Sequence, residues 1–481
     1  MLRLEITISI TMNKFANTTI GSLLTSGVSS LNKLPRLFLI LPLLVFFVGA
    51  NSAYGQEAAV PVEQGAIDSG DTAWMLTSSL LVLLMCLPGL TLFYGGLVRG
   101  KNILSLFVQC FALAGVMSLI WVCFGYAIAA GNPVTEAGLF GWDSNKLFLD
   151  HITSQFSGQG DAMSGGSIPE SIFVMFQMTF IIISPAIVVG AVAERMKFSA
   201  VMLFATIWTI FSYLPMWHMA WGGGLFHHWG AIDFAGGNVV HINAGIAGLV
   251  ACIVVGKRKG FPGPTLIPHN VPFVMIGAAL LWVGWFGFNA GSAGGANFDS
   301  GLAMLVTQVA AAAAIVSWVV IEYIFVKKVT AVGIATGAVA GLVAITPAAG
   351  STDVVGALFI GAISGVVCFF AATKLKNALG YDDSLDVFGV HGIGGIVGAL
   401  LTGLFIRDGY TVGDVAVSGG MAQLWIQAKS VIVTIVWSGV VSVIAIYITK
   451  VICRGLRVDE DVEHAGLDRS EHGEEAYSSE G

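Results

Sequence analysis

Two histidines stand in stretches that are otherwise too apolar to hydrate an ionisable ring. His241 lies in Asn238-Val-Val-His-Ile-Asn-Ala-Gly-Ile-Ala-Gly248, and His391 in Phe388-Gly-Val-His-Gly-Ile-Gly-Gly-Ile-Val-Gly398. Both fit the pattern H-x-x-x-G-I-[AV]-G. An ionisable side chain in an apolar run of membrane length points to function by default. A lone histidine has an ordinary alternative, a satisfied structural ring, and recurrence at matching positions weighs against it. Neutral imidazole carries one donor and one acceptor. Two rings bonded to each other make a polar track for a small molecule that both donates and accepts, and a route for a proton. They offer no counter-ion, so a bare cation is disfavoured there and an ionisable ligand is driven to its neutral form.

Other candidates surround this pair. Trp217-His-Met-Ala-Trp221-Gly-Gly-Gly224, Trp285-Phe-Gly-Phe288-Asn-Ala-Gly-Ser292 and Phe176-Gln-Met-Thr-Phe180 combine aromatic faces with Gly-rich settings. A Trp face attracts a cation by about 0.5–2 kcal/mol, and a Ser hydroxyl accepts an N–H bond. Taken alone, such aromatics read more readily as an interfacial belt or as packing. Asp233 and Asp386 each precede one histidine by a few residues. Their carboxylates suit either a substrate ligand or an anchor for a helix N-terminus, and the anchor is the favoured reading. Adjacent His227 and His228 form no chelating face, and the six cysteines contain no CxxC pair, so no metal site or disulfide framework is expected. No nucleotide-binding or hydrolase motif occurs in a suitable context; neither an enzyme nor a cofactor is indicated.

The elements that must position these residues follow from composition. Of 481 residues 56% are hydrophobic and only 11% charged, about half the charge of a soluble domain, so lipid is the solvent. The charge of -7 gives no reason to expect nucleic acid. Lys33 and Arg36, an apolar run from Leu37 to Val48 and small residues ending near Gln56 read as a signal peptide. Residues 1–55 are therefore an N-terminal extension with signal peptide, and 56–73 an external segment. Residues 74–451 form a membrane domain and 452–481 a tail. Apolar spans are expected at 74–97, 103–130, 169–191, 198–219, 237–256, 270–291, 301–326, 330–349, 352–373, 383–405 and 421–451. Lys and Arg crowd alternate loops (Arg99, Lys101; Arg195, Lys197; Lys257–Lys259; Lys327, Lys328; Lys374, Lys376) and the tail. That split places the mature N-terminus outside and the C-terminus in the cytoplasm. The histidine motif recurs in spans five and ten, which run in opposite directions. The fold class is thus an all-α integral membrane protein of eleven transmembrane helices, an inverted five-plus-five repeat with one extra C-terminal helix.

At these residues the chain closely resembles the ammonium transporter (Amt/Mep/Rh) family, in its bacterial Amt branch. The likeness runs from Asp71 to Tyr477 and is carried by Asp233-Phe-Ala-Gly-Gly-Asn-Val-Val-His-Ile-Asn-Ala, Gly284-Trp-Phe-Gly-Phe-Asn-Ala-Gly-Ser, Ile345-Thr-Pro-Ala and Asp386-Val-Phe-Gly-Val-His-Gly. The resemblance implies a homotrimer in the inner or plasma membrane with one pore per protomer. It implies an outer ammonium site at Trp221, Phe180 and Ser292, and a gate at Phe180 and Phe288. His241 and His391 become the twin-His pore, with Trp285 and Thr346 lining it. Asp233 matches an aspartate read as structural or as aiding deprotonation. The tail from Gly455 to Tyr477 is implied to pack on a neighbouring protomer and to answer to a cytoplasmic PII-type signalling protein. The expected activity is recruitment of NH4+, its deprotonation and passage of NH3. A passive Rh-like gas channel and an ammonium sensor acting through a partner stand as alternatives.

Overall fold

The computed structural model describes residues 67–152, 166–263, 266–412 and 415–477. The extension and signal peptide expected over 1–55 lie outside them. Nine helices among the described residues are long and apolar enough to cross a membrane: α1 (Ser69–Leu97), α2 (Gly100–Ala129), α3 (Glu170–Val192), α4 (Phe198–His228), α5 (Gly237–Val255), α6 (Val271–Gly291), α7 (Phe298–Val326), α9 (Val354–Leu379) and α11 (Met421–Ile452). Two shorter apolar helices, α8 (Ala331–Ile345) and α10 (Phe388–Thr402), complete the expected eleven. The chain is a multi-pass membrane protein. The only strands among the described residues are two pairs of two-residue segments in loops.

Helix boundaries follow local chemistry more than apolarity. Asp68 accepts the Asp71 N–H at 2.8 Å and starts α1 ahead of the apolar run. Asn297 and Ser300 form a reciprocal capping box that starts α7 at Phe298. Thr330 and Asp353 cap α8 and α9 by accepting from Gly333 and Gly356. Helix α8 stops at Ile345, short of the expected 349, because Pro347 has no N–H to continue it. Helix α9 runs past Lys374 and Lys376 to Leu379 through a wide turn at Ala371–Leu375.

The basic loops after α1, α3 and α5 meet in a buried knot with the link between α9 and α10. Glu194 Oε1 accepts from Arg99 Nε at 2.8 Å and Asn102 Nδ2 at 2.8 Å, while Oε2 pairs with Arg258 Nη1 at 2.9 Å. Arg258 also holds Asp382 through both carboxylate oxygens, at 2.7 and 2.9 Å. Arg195, fully buried, donates to the carbonyls of Gly256, Ala193, Ala191 and Asp382 and to Ser384 Oγ. The charges that sequence counts as topology markers are thus also structural. The tail closes over the knot. Lys197 N–H donates to Leu456 O, Val458 N–H to Arg195 O, and Asp468 caps the start of α2 by accepting from Leu104 and Ser105.

Burial alone would raise the Glu194 and Asp382 pKa values. The guanidiniums beside them, Arg258 and Arg99 on the first and Arg258 and Arg195 on the second, hold both below the usual carboxylate range. Stability from a depressed carboxylate is present above its unfolded pKa of about 4 and is lost as pH falls through the folded value. Glu194→Gln should lower stability by about 3–5 kcal/mol near neutral pH, the cost of stranding buried charge. It should also flatten the loss of stability on acidification below about pH 4. Thermal unfolding of the detergent-solubilised protein across pH measures both; a variant with wild-type midpoints throughout would contradict this account.

Candidate functional site

The two motif histidines meet. His241 Nδ1 and His391 Nδ1 are 3.2 Å apart, with ring centroids at 5.3 Å and planes 27° apart. Both rings are buried. Each sits in a wide π-type turn at the start of its helix, Gly237–Ile242 in α5 and Phe388–Gly392 in α10. The motif spacing explains the meeting. The glycine four residues on lies on the histidine's helix face. A Cβ on Gly245 would lie 2.3 Å from Gly392 Cα, and one on Gly395 would lie 3.2 Å from His241 Cβ. Each glycine therefore admits the backbone that carries the other histidine.

The crossing also brings two helix N-termini to one place. Each carries roughly half a positive elementary charge on its free N–H groups. Asp233 answers the first set. Its Oδ1 accepts from Gly236 (3.0 Å) and Gly237 (2.5 Å), and its Oδ2 from Asn238 (2.8 Å) and Val239 (3.2 Å). Burial pushes its pKa up against the pull of these four bonds. With both oxygens so engaged, the geometry is that of a cap. In the other half the corresponding contact is made by Asp383, not Asp386: Asp383 Oδ2 accepts from Phe388 N–H at 2.7 Å. Asp383 stands as far ahead of His391 as Asp233 does of His241, an offset that sequence reasoning could have used. Burial and the Asp386 carboxylate push the Asp383 pKa up to about 6. Asp386 has a left-handed backbone (φ 59°), and its side chain reaches Lys376 Nζ at 2.5 Å.

A column of rings leads to the pair. Trp221 packs edge-on against Phe180 (6.0 Å), and Phe180 stacks on Phe288 at 4.2 Å. Phe288 lies 6.0 Å from the His241 ring, and Trp285 stacks on that ring at 5.4 Å. Trp221 is held by its indole N–H donating to Asp233 O at 2.7 Å. Ser292 donates to Phe288 O at 2.8 Å, which leaves its oxygen lone pairs as acceptors. Trp285 Nε1 donates to Thr346 Oγ1 at 2.9 Å, and Thr346 donates to Leu342 O. Both lining residues are thereby fixed.

Beyond the stacked Phe pair lies a small cavity. Its walls include Leu90, Ile183, Ile187, Leu281 and Val339, and its polar edges are His241 and His391. About 10 Å³ is open to the centre of a water-sized molecule, room for about one. A second cavity of about 30 Å³ continues from His391 past Val390 and Leu385 to Asp386. No group of three or more His, Cys, Asp or Glu among the described residues is arranged to hold a metal.

Asp233→Ala leaves four buried N–H groups without an acceptor, at about 1–3 kcal/mol each before relaxation. We expect a marked fall in unfolding temperature of the solubilised protein. Unchanged stability with flux abolished would instead identify this carboxylate as a proton acceptor.

Comparison with known proteins bears on this arrangement. A family model described as Ammonium Transporter Family matches residues 73–477. The ammonium transporter of Aquifex aeolicus (strain VF5) is 44% identical over 435 residues, covering 90% of this chain and 98% of that one. The ammonium transporter of Mycobacterium tuberculosis (strain ATCC 25618 / H37Rv) is 45% identical over 441 residues, covering 86% and 91%. Among solved structures, Saccharomyces cerevisiae Mep2 superposes with a TM-score of 0.75 at 30% identity, covering 85% and 97%. A structure described as a sensor Amt protein gives 0.73 at 32%, covering 83% and 97%. An eleven-helix bundle crossed at two histidines, matched by family model and relatives over most of its length, belongs to the ammonium transporter family.

Proposed function

We propose that this chain is an ammonium transporter of the bacterial Amt kind. NH4+ is recruited at Trp221, Phe180 and Ser292, gives up a proton near the Phe180–Phe288 gate, and crosses as NH3 past His241 and His391. The observation that carries the reading is the mutual imidazole contact at the end of the ring column, beside a cavity with room for about one water-sized molecule. Its apolar walls oppose a cation there. An indole face and a hydroxyl oxygen at the far end of the column favour one. The Nδ1···Nδ1 contact also offers a proton route, and His241 Nε2 has no protein partner, which leaves it for a ligand. The chain is a transporter and not an enzyme.

The same reading assigns the basic face to the cytoplasm, the mature N-terminus to the outside of the inner or plasma membrane, and the functional unit to a homotrimer. In a second reading, the chain senses ammonium through a PII-type cytoplasmic partner. A described sensor Amt protein at 32% identity favours it, as does a tail that contacts the starts of α2 and α4 and the loop after α5.

An ammonium jump on a solid-supported membrane separates these possibilities. Wild type should give a transient current that His241→Ala or His391→Ala reduces by at least about tenfold, the scale of losing a positioned proton-transfer group. Flux without current points to gas conduction of the Rh kind; neither flux nor current, with ammonium bound, points to the sensor. Trp221→Leu should weaken apparent affinity or selection against other cations, and a variant equal to wild type in both would remove the recruitment site. Truncation after Gly455 should lower flux while leaving trimers intact in size-exclusion analysis. Undiminished flux would deny the tail a part in transport.

A further inference from the structure

The two π-type turns that carry the histidines are alike in backbone and unlike in what holds them. In α5 the Asn243 N–H bonds to Asn238 O and Val240 O, passing over Val239 O, which an ordinary helix would give it. The Asn243 side chain takes that carbonyl instead, with Nδ2 donating to Val239 O at 3.2 Å. Its Oδ1 accepts from Ser212 Oγ of α4 at 2.7 Å, and its backbone carbonyl accepts from Ser438 Oγ of α11 at 2.7 Å. One turn earlier, Asn238 accepts from Thr434 and donates to Ser430, both on α11. All these groups are buried. In α10 the Ile393 N–H likewise bonds to Phe388 O and Val390 O, passing over Gly389 O. Ile393 has no side-chain donor to take it. The extra helix of the five-plus-five repeat is thus hydrogen-bonded to the turn of one histidine.

We infer that Asn243 is a positioning residue for His241: its amide bridges the wide turn, Ser212 holds that amide and Ser438 of α11 holds the Asn243 backbone, so that Nδ1 meets the His391 ring. This rests on the twin-His reading above and extends it. Substrate is not touched by Asn243; the effect runs through the ring. Within the turn, His241 sits between the Val239 carbonyl and the Asn243 amide. Opening that bond lets the turn relax toward ordinary helical pitch, which rotates the histidine about the helix axis.

The test uses the full-length trimer reconstituted with 15N-labelled histidine. Magic-angle-spinning NMR reads the correlation between the two Nδ1 atoms, and flux is measured on the same preparation. In wild type the correlation should be present. In Asn243→Leu, of similar volume, it should be lost, with flux per folded trimer down roughly tenfold, the scale of removing a group that orients a functional one. Should that variant not fold, Ser212→Ala leaves Asn243 in place but frees its Oδ1, and a weakened correlation with a smaller loss of flux is expected. A full correlation and wild-type flux in the variant that folds would overturn the inference while leaving the twin-His pore standing. No correlation in wild type would overturn both.

Discussion

An imidazole in hydrocarbon has no water to satisfy it, so its hydrogen-bonding groups must be met inside the protein or left at a cost of a few kcal/mol. Here each ring meets the other at 3.2 Å, and much of the architecture serves that contact. Helices α5 and α10 must approach backbone to backbone, which demands Gly245 and Gly395 at their crossing. Both helices begin where they cross, and the resulting positive ends are met by Asp233 and Asp383 on the far sides of the two turns. The pair, the crossing and the caps form one dependent set.

In the transport reading proposed above, selection and passage are separated along the column. An aromatic face and a hydroxyl favour charge; stacked Phe rings and aliphatic walls penalise it further in. On that reading the same cargo meets two environments of opposite preference and gives up its proton between them. A pore that only fitted a small gas would have no use for the first environment. A site that only bound a cation would have no use for the second.

The helices, their number and the two histidines were legible in sequence because long apolar runs, a recurring H-x-x-x-G pattern and alternating basic loops each have one physical reading. Element ends were less so. Asp68 and Asn297 lengthen α1 and α7 by capping, and Pro347 shortens α8, through contacts that an apolarity window averages away. Asp386 drew attention as the acid nearer His391, whereas the left-handed turn at its own backbone directs it to Lys376 and leaves the cap to Asp383. Asn243 was hidden because an asparagine in an apolar run shows its value only once the skipped carbonyl beside it is seen. The arginines were counted correctly for their sign, but their burial depends on partners up to 189 residues away.

The buried knot has a consequence for how the chain is made. Glu194 can find Arg99 as soon as α1 to α3 are in the membrane, since all three segments emerge early. Arg258 takes its two-oxygen partner, and Arg195 its hydroxyl and one of its carbonyls, from Asp382 and Ser384 in the link between α9 and α10. Until the second half docks, Arg258 has only the Glu194 carboxylate and Arg195 only first-half carbonyls, so their remaining N–H groups must stay hydrated. A second half docked wrongly buries Arg258 without the Asp382 carboxylate and Arg195 without Ser384, which is unfavourable. The knot therefore favours the one mating of the halves that also brings the two imidazoles together.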